Sequence, residues 1–374
     1  MSGPILNVSI LGTGMALVHL HHPSLASLPH QYKIHSVMER TPRGRAQETC
    51  GEDIKAVTTI REVVDDPEVD LVVVASPNNT HYEYTKSAIL ANKHVLVEKP
   101  LCPTASQAQE LVDLAKRQGV ILSVYQNRRW DSDFLTVKKL FEEGTLGQIN
   151  EFQSNYDRYR PLPPTFSRTN SNWKETPGEH NDVIYNLGSH IIDQAYVLFG
   201  KPERVGCRCW DQRGIGLDEA FVMDLYYPSP HPASPPLHVT LRASIMSPLP
   251  KQLRFQIKGS RGTFIKHGLD PQGDFREELA RGKRVEEIPG YGVEKEEDWG
   301  TVWVAEQERD GAEFRSEVLR SEPGNYPALY SNLYDAITSR DPGRLAVKPE
   351  EAVQVLRLIE LGVRSSREGR VLDV

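Results

Sequence analysis

Short apolar runs alternate with longer amphipathic stretches over the first third of the chain. The runs are rich in Val and Ile and apolar on both faces, as strands covered by helices on both sides are. We predict strands at residues 8–11, 33–38, 71–75, 94–97 and 121–124, with helices over 81–91 and 106–118. Gly119 follows the second helix where a C-terminal cap is expected. This order of elements predicts a parallel sheet.

Beyond residue 128 the pattern changes to alternation with a period of two, after one further helix that Gly144 ends. We predict that helix at 134–143 and strands at 148–156, 204–210, 219–226, 237–243, 254–258 and 262–266. Alternating apolar and polar positions are typical of antiparallel strands with one face on a core. The second part of the chain is therefore predicted to be a mostly antiparallel sheet.

Three segments outside these strands carry their own signals. Residues 228–236 are too rich in proline to pair and are predicted to form an exposed loop between two hairpin strands. Residues 270–324 are polar and interrupted by glycines, and their acidic run at 294–298 is interpreted as solvated surface. Pro349 is predicted to open a last helix that reaches about residue 367.

The charge balance narrows the class of partner. The net charge of -7 arises from 44 Lys+Arg against 51 Asp+Glu without a basic cluster, which argues against binding to nucleic acid or to an anionic membrane. No apolar run approaches the roughly 20 residues that span a bilayer. The four cysteines lack metal-site spacing. We therefore expect a cytoplasmic protein without an export signal, with free thiols and no metal, that binds a small molecule.

A glycine turn follows the first predicted strand and precedes a predicted helix. The two glycines permit a tight turn and the close approach of a pyrophosphate to the helix N-terminus. Leu17 stands where the third small residue of the pattern is usual, so a purely structural turn is the alternative. The strand, turn and helix context favours a dinucleotide site. The predicted contacts are Gly12, Thr13, Gly14, Met15 and Ala16.

The end of the second strand bears on which dinucleotide is bound. Glu39 can accept a hydrogen bond from a ribose 2'-hydroxyl, which favours NAD. Arg40, Thr41 and Arg43 can instead hold the 2'-phosphate of NADP, although solvated loop charges are the alternative for both arginines. The positive charge after Glu39 favours NADP slightly over NAD.

Two more polar segments end predicted strands of the parallel sheet. In Glu98-Lys99-Pro100 the lysine is expected to point at whatever the glycine turn binds, because ligands lie outside the carboxyl ends of such strands. The segment after residue 75 suits a turn against the cofactor, with Thr80 as the N-cap of the next helix. For His81 a local structural role is the alternative. The predicted cofactor contacts are Ser76, Pro77, Asn78, His81, Glu98 and Lys99.

These motifs together resemble the Gfo/Idh/MocA oxidoreductases over essentially the whole chain. The resemblance is carried by Gly12-Thr13-Gly14, residues 76–81, Glu98-Lys99-Pro100 and residues 188–193. Residues 125–131, 156–161 and 264–268 are most similar to the NADP-dependent scyllo-inositol dehydrogenase branch. The resemblance implies an α/β protein with a Rossmann dinucleotide-binding domain at 1–126. An α+β domain with a mostly antiparallel open sheet is expected at 127–374.

The resemblance also implies hydride transfer between a nicotinamide and a polyol, sugar or related carbonyl substrate, in a homodimer or homotetramer. It places Lys99 and His190 beside the reacting hydroxyl, and Arg128 and Trp173 near the nicotinamide. An ammonium stabilises negative charge on the substrate oxygen, and an imidazole moves a proton near neutrality. Both residue types are also common in structural or solvated positions.

The chain departs from this branch at one position. Asn186 stands where the branch has an Asp four residues before the catalytic histidine. An amide still accepts a hydrogen bond from the imidazole but brings no negative charge. Asp193, three residues after His190, is a candidate for supplying that charge, and an ordinary structural carboxylate is the alternative. An enzyme is favoured, with a catalytically impaired sensor or an enzyme of another reaction as alternatives.

Overall fold

The computed structural model describes residues 3–163, 177–178, 180–229, 235–269, 271–307 and 309–374. Its strands are β1 (Leu6–Leu11), β2 (Tyr32–Met38), β3 (Lys55–Val57), β4 (Leu71–Val74), β5 (His94–Val97), β6 (Leu122–Val124), β7 (Ile149–Asn155), β8 (Arg204–Trp210), β9 (Ala220–Tyr226), β10 (His238–Ser244), β11 (Leu253–Gly259), β12 (Gly262–His267), β13 (Gly300–Ala305), β14 (Phe314–Leu319) and β15 (Leu372–Asp373).

The described residues also form α-helices, several of which are single turns. They are α1 (His22–Ala26), α2 (Arg45–Cys50), α3 (Ile60–Val64), α4 (His81–Leu90), α5 (Ala105–Gln118), α6 (Ser132–Glu142), α7 (Ser189–Phe199), α8 (Pro271–Asp274), α9 (Arg276–Ala280), α10 (Pro327–Ser339) and α11 (Pro349–Glu368). Two π-helical segments, Leu17–His21 and Ile184–Gly188, lead directly into α1 and α7. Among the described residues, none of the helices has the length and apolar character that crossing a membrane requires.

The chain divides into two compact units. Unit 1 comprises Met1–Asp131, Pro271–Gly292 and Gly324–Val353. Unit 2 comprises Ser132–Asp270, Val293–Pro323 and Gln354–Val374. The first junction lies close to the predicted boundary at 126/127, whereas the later segments of unit 1 come from the part of the chain predicted to form the second domain.

Unit 1 is built on a parallel sheet of six strands in the order β3-β2-β1-β4-β5-β6. Every residue of β4 is buried, which explains its uninterrupted apolar sequence. The strand order reverses between β1 and β4, and in an open α/β sheet ligands bind at that point, outside the carboxyl ends of the strands. The predicted Rossmann-type fold of the N-terminal part is confirmed.

One strand of this sheet gave no signal in the sequence. β3 lies at the edge of the sheet, and Lys55 and Ala56 are exposed, so that only Val57 is buried. A short edge strand with one inward side chain shows no apolar run. The remaining predicted bounds in unit 1 agree with the observed strands and helices to within two residues.

The core of unit 1 includes a helix from far along the chain. Leu329, Tyr330 and Leu333 of α10 belong to the same apolar cluster as residues of β1 and β2. The hydroxyl of Tyr32 donates a 2.7 Å hydrogen bond to the backbone carbonyl of Tyr330. The apolar core beside the N-terminal sheet is therefore completed by residues that are synthesised late.

Unit 2 contains a sheet of nine strands in the order β14-β13-β12-β11-β7-β10-β9-β8-β15. β7 and β10 pair in parallel, and the other pairs are antiparallel. The predicted mostly antiparallel sheet is confirmed. β9 and β10 form the hairpin predicted on either side of the proline-rich segment.

Residues 270–324 depart from their interpretation at two points, while Lys295, Glu296 and Glu297 of the acidic run are exposed as expected. The segment contains β13 and β14, and β14 was missed because five of its six residues are exposed and no apolar alternation remains. Glu294 is buried rather than solvated. Its carboxylate lies 2.9 Å from the ammonium of Lys266, itself buried, and accepts a 2.6 Å hydrogen bond from Ser321. A buried carboxylate is tolerated here because it is paired.

Candidate active site

The glycine turn lies at the switch point of the parallel sheet. Gly12 has a φ of +121° and its N–H donates to the carbonyl of Met38 at 3.1 Å. A Cβ at this position would lie 2.6 Å from the carbonyl oxygen of Ala75. Only glycine therefore lets the ends of β1, β2 and β4 come this close together.

Gly14 differs from Gly12 because no protein atom lies within 4 Å of the position that its Cβ would take. It is exposed, as is Met15, at the start of the helical stretch after the turn. Leu17 is fully buried and belongs to the core of unit 1, which accounts for the absence of a third small residue in the motif. The turn thus presents open backbone on its outer side, as a pyrophosphate requires.

The end of β2 carries a buried carboxylate beside exposed cations. Glu39 is 5% exposed, and its Oε1 has no hydrogen-bond partner among the described residues. An orphaned buried acceptor suits a ribose hydroxyl, so the residues fit a dinucleotide. Arg40, Thr41 and Arg43 are exposed, and neither arginine forms an ion pair within the described ranges.

The turn after β4 is held by its own side chains. The Ser76 and Thr80 hydroxyls lie 2.6 Å apart, and Thr80 donates to the Pro77 carbonyl at 2.7 Å instead of capping α4. The ring nitrogens of His81 lie 2.8 Å from the Pro100 carbonyl oxygen and 2.9 Å from that of Ser76. His81 is fully buried, and burial lowers its pKa. The side chain therefore joins two turns, which is the structural alternative for this residue.

The turn after β5 places a carboxylate directly beside the predicted catalytic lysine. The Glu98 N–H donates to the Val74 carbonyl at 2.9 Å, and Glu98 Oε2 accepts a 3.1 Å hydrogen bond from the Lys99 N–H. The peptide bond between Lys99 and Pro100 is cis. Burial alone would raise the pKa of Glu98, but His21 and Lys99 together hold it below its usual value. Glu98 is thus an anion at neutral pH.

Of the two residues predicted to lie near the nicotinamide, the structure describes Arg128. Arg128 is buried and forms a forked ion pair with Asp131, with Nη1 3.0 Å from Oδ2 and 3.3 Å from Oδ1. One guanidinium nitrogen thus lies close to both oxygens of a buried carboxylate, and this bifurcated contact restrains the guanidinium. Its contact with a cofactor stays a prediction. Trp173 lies outside the described residues.

In unit 2 the predicted acid/base lies near the start of α7. His190 is buried, and its ring centroid is 6.2 Å from that of Tyr156. Asn186 is half-buried in the π-helical segment before α7, where its N–H donates to Asp182 and its carbonyl accepts from the Ser189 hydroxyl. Asp193 is buried one turn after His190. A role for Asn186 or Asp193 in catalysis stays a prediction.

Sequence reasoning missed a buried arginine in the same unit. Arg254 of β11 is 1% exposed and donates 2.7 Å hydrogen bonds to Asp133, Ser154 and Gln194. Gln194 lies one helical turn after His190 on α7. By strict alternation Arg254 shares its face with Gln256 and Lys258, so its burial left no signal in the sequence; the pairing of β11 with β12 is irregular between Leu253 and Phe255.

The two glycines of the turn give a first testable contrast. We expect Gly14→Ala to keep the thermal stability of the wild type but to weaken NADP or NAD binding, because the new methyl group occupies the space beside open backbone. Gly12→Ala should instead lower the melting temperature, since a positive φ costs a non-glycine residue roughly 1–3 kcal/mol and the Cβ also clashes. Thermal melts and titration calorimetry separate the two effects. Unchanged nucleotide affinity in Gly14→Ala would contradict the predicted pyrophosphate site.

Comparison with protein-family models identifies both parts of the chain. Residues 6–126 match the model of the GFO/IDH/MocA oxidoreductase family, described as an NAD-binding Rossmann fold. Residues 134–265 match the model of the GFO/IDH/MocA C-terminal domain. Together the two matches cover more than half of the chain.

Relatives match over nearly their full length. The NADP(+)-dependent scyllo-inositol 2-dehydrogenase of Bacillus subtilis is 35% identical over 367 residues, which are 98% of this chain and 95% of that protein. An oxidoreductase of Schizosaccharomyces pombe is 35% identical over 97% of both chains. A solved oxidoreductase structure from Bacillus subtilis has a TM-score of 0.88 at 35% identity and covers 100% of this chain and 99% of its own.

Proposed function

Since the chain belongs to the GFO/IDH/MocA oxidoreductase family, we propose that it is an NADP-dependent dehydrogenase or reductase of a polyol, a sugar or a related carbonyl compound. The resemblance that the motifs indicated is confirmed at the level of the family. The observation that carries the proposed reaction is the turn after β5, where Lys99 follows the anionic Glu98 at the carboxyl edge of the parallel sheet.

The proposed roles follow from the chemistry of the side chains. A bound nicotinamide supplies or accepts the hydride. Lys99 donates a hydrogen bond to the substrate oxygen and stabilises negative charge as it develops there. His190 takes the hydroxyl proton during oxidation and returns it during reduction, since an imidazole with an ordinary pKa of about 6.5 exchanges protons near neutrality.

The preference for NADP rests on the loop after β2. Arg40 and Arg43 are exposed and form no ion pair within the described ranges, so both are available to a 2'-phosphate. The orphaned oxygen of Glu39 favours a 2'-hydroxyl instead and opposes this preference. The relative from Bacillus subtilis is described as NADP(+)-dependent, which supports the phosphate.

We expect the double substitution of Arg40 and Arg43 by Ala to raise KM for NADP+ by about tenfold or more and to leave KM for NAD+ nearly unchanged, because only NADP+ has the 2'-phosphate that these arginines would contact. Steady-state kinetics with both nucleotides measure the two constants. Exposed Arg61, which pairs with Asp65, provides the control, and Arg61→Ala should change neither KM. Equal effects on both nucleotides would contradict the proposed phosphate contact.

Asn186 raises the second candidate function, a nucleotide-binding sensor with little catalytic activity. If the missing carboxylate limits proton transfer, Asn186→Asp should raise kcat by about tenfold, equivalent to one pKa unit of stabilisation of the imidazolium. Asn181→Asp adds the same charge in the preceding loop and is the matched control. An unchanged kcat in Asn186→Asp would show that position 186 does not limit the reaction.

Purified protein with NADP+ or NAD+ and a panel of polyols and sugars tests the proposed function directly. The absorbance of the reduced nicotinamide reports turnover, and calorimetry reports binding. Turnover of at least one cyclic polyol or sugar supports the enzyme. Tight nucleotide binding without turnover of any compound supports the sensor, and no binding of either nucleotide contradicts both.

A further inference from the structure

Behind the Glu98 turn, a buried histidine connects its carboxylate to a buried tyrosine. His21 is 0% exposed. Its Nε2 lies 3.3 Å from Glu98 Oε1, an ion-pair separation without hydrogen-bond geometry, and its Nδ1 lies 2.8 Å from the Tyr330 hydroxyl. All three residues belong to unit 1. The proposed reaction gives His21 no role, although it lies between the turn and Tyr330 of the core.

The local backbone explains why His21 points inward at this place. It is the last residue of the π-helical segment Leu17–His21, and Pro23 follows at the start of α1. The Ser24 hydroxyl donates back to the Leu20 carbonyl at 2.8 Å, which competes with regular helical bonding. Single-turn π segments inside helices are frequent at functional sites.

The far end of the connection is fixed. Tyr330 is 0% exposed, and its backbone carbonyl accepts the hydrogen bond from Tyr32. Its ring packs edge-on against Tyr32 at 5.6 Å and against His21 at 6.3 Å between centroids. The Tyr125 ring covers His21 at 4.5 Å. His21 therefore has little freedom to turn away from Glu98.

One tautomer of His21 suits both of its neighbours. Burial raises the pKa of Tyr330 well above its ordinary value, so its hydroxyl keeps its proton. If that hydroxyl donates to Nδ1, the ring proton lies on Nε2 and faces the carboxylate. The opposite tautomer would aim a nitrogen lone pair at an anion. In this arrangement the tyrosine hydroxyl is hydrogen-bonded to the histidine, whose remaining N–H lies 3.3 Å from the glutamate oxygen.

The charged and titratable groups that face Glu98 come from several elements. They are His21 from the π segment, His81 from α4, Lys99 from the same turn, Tyr125 after β6 and Tyr330 from α10. Among them, His21 and Lys99 are the two largest contributors that lower the pKa of Glu98 against its burial. Without His21 the carboxylate would keep its burial and lose the polar group that lies 3.3 Å from its Oε1.

We propose that His21 is a positioning residue for the reaction, which keeps the Glu98 carboxylate charged and oriented so that Lys99 retains its neighbouring negative charge. This inference rests on the proposed function of Lys99. If His21 served only for packing, any ring of similar size could replace it; the proposed role instead requires its ring nitrogens.

The test begins with His21→Phe, which keeps a buried ring and removes both nitrogens. Glu98 then loses its partner and its pKa rises, so it becomes protonated at a higher pH than in the wild type. We expect kcat to fall by about tenfold or more. We also expect the acidic limb of the kcat–pH profile to move to higher pH, with KM for the substrate much less affected.

A readout without substrate accompanies the kinetics. Infrared spectroscopy of the purified variant should show the carbonyl band of a protonated carboxylic acid near neutral pH, and the double variant His21→Phe with Glu98→Gln should lack that band. The wild type should show the band only at lower pH. Thermal melts confirm that each protein is folded.

Two further variants separate the proposed role from packing. His21→Gln offers an N–H at a position similar to Nε2 and should restore most of the wild-type profile. Tyr334→Phe removes a hydroxyl from the same apolar cluster whose bond goes to the backbone carbonyl of Pro4, so its profile should match the wild type. If His21→Phe does not fold, the test uses His21→Gln and Tyr330→Phe instead. Tyr330→Phe should then move the acidic limb of the kcat–pH profile to higher pH, as expected for His21→Phe.

An unshifted acidic limb in folded His21→Phe, or no carboxylic acid band from Glu98, would overturn the inference while the proposed function stands. Equal loss of kcat in His21→Phe and His21→Gln without a shift would show packing alone and overturn it too. If the wild type turns over no substrate, the proposed function fails, and the infrared comparison still decides whether His21 keeps Glu98 charged.

Discussion

Replacement of Lys99 by Met should lower kcat by about 10²–10³-fold, which is the cost of removing one donor to a developing oxyanion. Met keeps most of the length of the side chain and removes only the ammonium, so the turn after β5 is expected to remain intact. Nucleotide affinity should fall much less than kcat, because the proposed principal partner of Lys99 is the substrate oxygen and the cofactor keeps its other predicted contacts. Steady-state kinetics and calorimetry measure the two quantities on the same preparation.

Lys86 offers the matched control for this substitution. It belongs to the same unit, is half-buried on α4 and pairs with exposed Glu110 at 2.8 Å. Ion pairs at the surface contribute about 0–1 kcal/mol, so Lys86→Met should keep both kcat and the melting temperature close to the wild type. If Lys99→Met retains wild-type turnover, the lysine does not act on the substrate and the proposed reaction loses its principal residue.

The second large effect is expected at His190. His190→Ala should lower kcat by about 10²–10⁴-fold, because the hydroxyl proton then lacks a positioned acceptor. The limb of the pH profile that reports the imidazole should disappear from the remaining activity. Added imidazole should restore part of the rate, since the cavity left by the side chain admits the missing ring.

His238→Ala is the comparison for the histidine. This residue is exposed on β10 and lies 3.1 Å from Asp224, so its removal should leave kcat and its pH dependence unchanged. Full activity in His190→Ala, or the same pH limb after its removal, would assign the proton transfer to another group. Asp193, buried on the same helix, would be the next residue to replace.

The elements that bury a continuous or alternating set of apolar residues could be predicted from the sequence. β5 was predicted with its observed bounds and β9 to within one residue, because each buries a run or an alternation of apolar side chains. β14 could not be, since its exposed residues owe their conformation to pairing with β13 alone. Glu294 was misjudged for a related reason, because its partner Lys266 lies on a strand distant in sequence.

The residues of the candidate site also fall into those that the sequence predicts and those that it does not. The glycine turn and the turn after β5 could be predicted because the residues that define each turn are consecutive in the sequence. The roles of His21 and Arg254 could not be predicted, because each depends on partners distant in sequence. Arg254 binds Gln194, about 60 residues away, and His21 binds Tyr330, more than 300 residues away. A single sequence gives no measure of such distances before the fold is known.

The place of α10 in the core of unit 1 has a consequence for how the protein is made. A ribosome releases the six-stranded sheet early, but Tyr32 and its apolar neighbours meet Tyr330 and Leu333 only after residue 339 has left the exit tunnel. Until then the nascent nucleotide-binding half exposes an unfinished core, a state in which chaperones commonly engage a growing chain. A fragment truncated after residue 126 would remain in that state permanently.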